Sequence, residues 1–146
     1  MVRREFVQRK LALIAEDLER LAEFRDETLE SLRADEIRLA AVERMLERVV
    51  MRAIDVNVHL VSELSKGEGG TSRLTYRDTF RMLEPLGVYS REFAERIAES
   101  AGLRNVLVHD YNDADHRIVH GSIVACLRDY HEYVGSVSAF VDQLPE

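Results

Sequence analysis

The chain has 146 residues, 46% of them apolar, and a net charge of −7. Such a composition fills one packed core, excludes a disordered chain, and fits a single domain over residues 1–146. No uncharged run could span a bilayer, no signal-peptide core is expected behind Met-Val-Arg-Arg-Glu-Phe, and the single Cys126 excludes an intrachain disulfide, so the cytoplasm is the expected compartment.

Helical spacing governs the first segment. Val7, Leu11, Ile14, Leu18 and Leu21 repeat at steps of four and three, which predicts a helix from about residue 3 to about residue 24. A polar turn is expected from Asp26 to Ala34. Val42, Leu46, Val49, Ala53, Val56, Leu60 and Leu64 then mark a long second helix over about 35–65. The run Lys66-Gly67-Glu68-Gly69-Gly70-Thr71-Ser72 ends it and reads as a loop.

Two shorter helices are expected near 74–84 and 90–101, divided by Pro85 and Gly87. Asp113 or Asp115 can cap a last long helix with the stripe Val119, Ile123, Cys126, Tyr130, Val134, Val137 and Val141. Gly121 and Gly135 interrupt that helix and suggest close approach of another backbone. With no convincing strand, the fold class is all-α: an antiparallel helical bundle of about five helices, framed by the long second and last ones.

The chemistry concentrates in Arg104-Asn105-Val106-Leu107-Val108-His109-Asp110-Tyr111. A guanidinium neutralises phosphate oxyanions, an imidazole moves protons near neutral pH, and a phenol stacks or carries a modification. On a helix, Leu103, Val106 and Leu107 form an apolar anchor. Arg104 and Tyr111 then stand one above the other on the opposite side, flanked by Asn105 and His109. The bare Arg-to-His spacing is weak, arising by chance about once in two chains of this composition. The full pattern is far more specific. Its structural alternative is a capping cluster, with Arg104 on a nearby acid and His109 on a backbone carbonyl.

Arg-Asn-x-x-x-His-x-Tyr resembles the signature of the HEPN superfamily, and specifically the HepT-like toxins partnered by MNT-type nucleotidyltransferase antitoxins. The resemblance takes in Tyr76-Arg77-Asp78-Thr79-Phe80, the run Ala101-Gly102-Leu103, and Ala53-Ile54-Asp55-Val56-Asn57-Val58-His59-Leu60, and reaches from about residue 7 to about residue 140. It implies a homodimeric HEPN-like bundle and a metal-independent endoribonuclease. Arg104 and His109 would be catalytic, Asn105 supporting, and the RNA substrate would lie in a cleft at the dimer interface. It also implies that the antitoxin AMPylates Tyr111, and leaves open whether the toxin dimer joins it in a hetero-oligomer. A rival of another class is a non-catalytic helical module that binds a nucleotide or docks a nucleotidyltransferase.

Other groupings carry less. Arg44, Arg48, Arg52, Asp55 and His59 share one face of the second helix. The arginines read as a solvated face or an RNA guide, while Asp55 and His59, in a more apolar stretch, are expected to support the site. Arg73, Arg77 and Arg81 repeat the spacing. His116 and His120 are four apart but lack a neighbouring cysteine or an intervening Glu, and no histidine has a Glu three residues before it. Neither metal nor cofactor is expected, nor is a membrane partner.

Overall fold

A computed structural model describes residues 1–65, 74–108 and 113–145. Every regular element among them is helical: α1 (Arg4–Ala22), α2 (Leu29–Arg33), α3 (Glu36–Leu64), α4 (Tyr76–Arg81), α5 (Arg91–Ala98), α6 (Leu103–Val108) and α7 (Asp113–Asp142). A 3-10 turn, Glu99–Gly102, leads from α5 into α6.

The expected stripe of α1 is buried in full, and those of α3 and α7 are buried apart from the half-buried Leu64 and Val134. Tyr133, outside the expected α7 stripe, is fully enclosed. Cross-helix contacts fix the directions. Asp17 meets Arg48 and Arg52, Lys10 meets Asp55, and Arg3 meets His59, so α1 and α3 are antiparallel. The Arg4 guanidinium donates to the carbonyls of Val141 and Leu144, while His120 lies against the Glu27 carbonyl. Thus α7 also runs antiparallel to α1, and the two long helices lie parallel to each other. The shorter helices α4, α5 and α6 pack together against α3 and α7.

Local chemistry sets the boundaries. Asp35 Oδ1 accepts from the backbone N–H groups of Ile37 and Arg38 at 3.1 and 3.2 Å, and Ser90 Oγ accepts from Phe93 at 3.1 Å. These bonds satisfy amides that a helix start leaves without internal partners. The expected turn at 26–34 instead contains α2. Thr28 caps it, its Oγ1 accepting the Ser31 N–H at 3.0 Å.

After α4 the chain reverses at Gly87, whose φ of +91° lies in the left-handed region. Gly87 N–H reaches the Glu84 carbonyl at 2.9 Å and Val88 N–H the Leu83 carbonyl at 3.1 Å, the Schellman pattern. At Gly121 and Gly135, by contrast, an added Cβ would meet nothing within 4 Å. Among the described residues the expected close backbone approach is absent there. Both glycines face outward.

Candidate functional site

The motif begins on α6 as expected. Leu103 and Leu107 are buried, Val106 and Arg104 half-buried, and Asn105 exposed. The apolar pair anchors the helix and turns the Arg104–Asn105 edge outward. His109 and Tyr111, with Asp110 and Asn112, lie outside the described residues. Among the described residues Arg104 meets a ring rather than an acid: its guanidinium carbon sits over Tyr76, 5.1 Å from the ring centroid. Attraction between the cation and the ring quadrupole is worth about 0.5–1 kcal/mol at a partly exposed site.

Tyr76 is itself held from below. It opens α4 within a capping box, Thr75 Oγ1 accepting the Asp78 N–H and Asp78 Oδ2 the Thr75 N–H, each at 3.1 Å. These bonds hold the Asp78 carboxyl below its ordinary range. The Tyr76 carbonyl accepts the Thr79 hydroxyl at 2.7 Å, and that hydroxyl accepts Asn57 Nδ2 at 3.2 Å. Asn57 Oδ1 accepts the Tyr133 hydroxyl at 2.5 Å. Asn57 and Thr79 are buried, so this chain ties α3, α4 and α7 together beneath Tyr76. Both residues lie in the stretches that carry the family resemblance, which gives neither of them a role. An amide within the apolar run of α3 was the available signal.

Tyr76 also lines a groove of about 590 Å³ with Phe6 and Lys10 of α1 and Ile54, Asp55 and His59 of α3. Asp55 and His59, expected to support the site, therefore share a groove with the ring under Arg104. Asp55 is more accessible than its apolar neighbours in sequence imply. It is exposed and accepts Lys10 Nζ at 2.9 Å, because it points across to α1 rather than into the core. His59 is half-buried and edges onto Phe6, with ring centroids 5.2 Å apart. Its Nε2 accepts the Arg3 backbone N–H at 2.9 Å, which puts the proton of the neutral ring on Nδ1. Burial lowers the His59 pKa, Arg3 and the chain's amino group add to the fall, and Glu63 opposes it.

The arginine stripe of α3 has another use. Asp17, fully enclosed on α1, accepts Arg48 Nε at 3.1 Å and Arg52 Nη1 at 2.8 Å, with Arg48 Nη2 on its other oxygen and Arg20 Nη1 at 3.3 Å. Arg48 and Arg52 thus neutralise a buried carboxylate, a role that neither a solvated face nor an RNA guide describes. Arg44 pairs with Glu47 at 3.4 Å. Arg81 pairs with Glu95 at 3.0 Å, Arg77 lies 3.9 Å from Glu99, and Arg73 falls outside the described residues. His120 Nε2 lies 2.6 Å from the Glu27 carbonyl, a contact that joins α7 to the α1–α2 turn. Among the described residues no cluster of His, Cys, Asp or Glu is arranged to hold a metal, and no helix is long and apolar enough to cross a membrane.

Known proteins share both sequence and fold with this chain. The model of the family described as Ribonuclease HepT-like matches residues 14–137. The tRNA nuclease HepT of Aphanizomenon flos-aquae is 31% identical over 140 residues, covering 96% of this chain and 92% of that protein. The mRNA nuclease HepT of Shewanella oneidensis is 26% identical over 94 residues, covering 64% of this chain and 68% of that protein. The solved structure of the tri-AMPylated Shewanella oneidensis HEPN toxin in complex with MNT antitoxin superposes with a TM-score of 0.76 at 22% identity, covering 92% of this chain and 97% of that one. It shares the fold. With the family model spanning all but the two ends, and a relative aligned along nearly its whole length, this chain belongs to the HepT-like ribonuclease family.

Proposed function

We propose that the chain is the toxin of a toxin–antitoxin pair, a cytoplasmic metal-independent endoribonuclease neutralised by an MNT-type nucleotidyltransferase. The observation that carries this reading is the family match over residues 14–137, which encloses the whole Arg104–Tyr111 motif. The relatives named as tRNA and mRNA nucleases support the ribonuclease activity, and the toxin–antitoxin complex of like fold supports the partner.

RNA cleavage needs a base at the 2′-hydroxyl, an acid for the departing 5′-oxygen, and positive charge on the phosphorane. Arg104 supplies that charge through two parallel N–H groups. His109 transfers the proton, its ordinary pKa lying near working pH. Asn105 orients His109 or donates to the same oxygens. One histidine cannot easily be base and acid in a single turnover, so a homodimer with the two motifs facing each other supplies the second. Tyr111 is the acceptor for AMP. Phosphate charge and adenine bulk placed there occupy the cationic cleft and repel the RNA backbone. That a toxin of like fold is tri-AMPylated and in complex with an MNT antitoxin supports this control and a hetero-oligomer with the antitoxin.

The test is cleavage of total RNA in EDTA by the wild type and by His109→Ala, after intact-mass analysis of both. Cleavage by the wild type alone is expected. Absence of cleavage by protein whose mass shows no added AMP would overturn the ribonuclease reading in favour of a binding module.

A further inference from the structure

We propose that the groove walled by Phe6, Ile54, His59 and Tyr76 is a nucleobase subsite. It would take the base of a single-stranded RNA nucleotide whose adjoining phosphate lies at Arg104. The proposal rests on the ribonuclease reading and specifies where that substrate is gripped beyond the motif.

Charge distinguishes a base from a phosphate as occupant. Lys10, the lysine that lines the groove, is already matched by Asp55 at 2.9 Å, and burial disfavours the charged form of His59. A phosphate placed there would meet a carboxylate and gain little net attraction. A base presents apolar faces with polar edges. The groove offers the Tyr76 ring, the Phe6 ring with Arg3 and Lys10 already over it at 4.9 and 5.6 Å, aliphatic surface in Ile54, and rim partners in Asp55 and Ser62. Base–aromatic contacts of this kind hold single strands without requiring a particular base. A groove of about 590 Å³ is also within the size range of small-ligand sites.

Position supports the same assignment. Tyr76 adjoins both the groove and Arg104, because the guanidinium sits over its ring while the residue lines the groove. A nucleotide beside Tyr76 would set its base in the groove and its phosphate at Arg104. The buried Tyr133–Asn57–Thr79 chain ends on the Tyr76 carbonyl and fixes the backbone that carries the ring, as a preformed wall requires.

The probe is a 2′-O-methyl oligoribonucleotide, which cannot be cleaved through its 2′-oxygen. Variants of it are made abasic at one position at a time, and binding is measured by fluorescence anisotropy. Wild type is expected to lose about tenfold in affinity at one or two abasic positions. Tyr76→Leu, which preserves apolar volume, is expected to bind the intact probe about tenfold more weakly and to ignore those positions, while Tyr76→Phe keeps the wild-type pattern. Equal sensitivity of wild type and Tyr76→Leu to every abasic position would overturn the subsite. If binding depends on the base through Tyr76 yet unmodified wild type cleaves no RNA, the subsite stands and the ribonuclease reading fails. Cleavage without any Tyr76-dependent base effect gives the converse.

Discussion

The Tyr133 hydroxyl meets Asn57 Oδ1 at 2.5 Å in the buried seam between α7 and α3. Asn57 is fully enclosed, and its amide nitrogen is spent on Thr79. An enclosed amide is tolerable only while its partners remain, because each orphaned polar group costs about 1–3 kcal/mol. Asn57→Ala is therefore expected to lower the unfolding free energy by about 3 kcal/mol, and Tyr133→Phe by about 1–2 kcal/mol. Urea denaturation at constant slope measures both. Additive losses in the double variant would show that the two groups are not coupled.

The Asp17 cluster makes a second prediction. Removing the carboxylate leaves Arg48 and Arg52, both less than a third exposed, without their counter-charge. Asp17→Asn keeps the shape and removes the charge, and is expected to cost about 3–5 kcal/mol, the range for breaking one side of a buried pair. A change below about 1 kcal/mol in thermal or urea unfolding would reduce the cluster to the standing of a surface ion pair.

His59 should leave a signature in stability against pH. Its folded pKa lies below the ordinary 6.5, so between the two values the folded chain binds fewer protons than the unfolded one. The neutral ring's contribution is complete above 6.5 and is lost as pH falls through the lower folded value. Compared with His59→Gln, the wild type is expected to lose stability faster on acidification from neutral pH. Parallel curves for the two proteins would refute this.

Cys126 is expected to be chemically silent in the native protein. Burial, with the Asp129 carboxylate beside it, pushes its thiol up to about 12, leaving about one part in ten thousand as thiolate at pH 8. Ellman's reagent should react at once in denaturant and only at the rate of unfolding without it. Rapid labelling of the folded protein would contradict the enclosure.

Much of this architecture was legible in the sequence, because period and caps are local. The stripes of α1, α3 and α7 gave their faces directly, and Leu103 with Leu107 placed the anchor of the motif helix. Two things were not legible. The use made of Arg48 and Arg52 depends on Asp17, whose enclosure follows from the antiparallel register of α1 on α3 and leaves no trace in the spacing of α3 alone. The contact of Arg104 with Tyr76 joins residues 28 positions apart through the packing of both α4 and α6 against α3. By contrast, α2 was missed although Thr28 carried a capping signal, since a one-turn helix has too few apolar positions to show a period.

The double engagement of α1 bears on the order in which the fold can be completed. Its contacts with α3 close within the first half of the chain, whereas Arg4 and Val141 lie 137 positions apart. During synthesis the early pair of helices therefore emerges with part of its apolar stripe uncovered, and only α7 can cover it. Until that last helix docks, a chain with this stripe open would expose apolar surface that favours association. The interval between the two docking events is when a chaperone, or a second chain already waiting, has its best opportunity to bind.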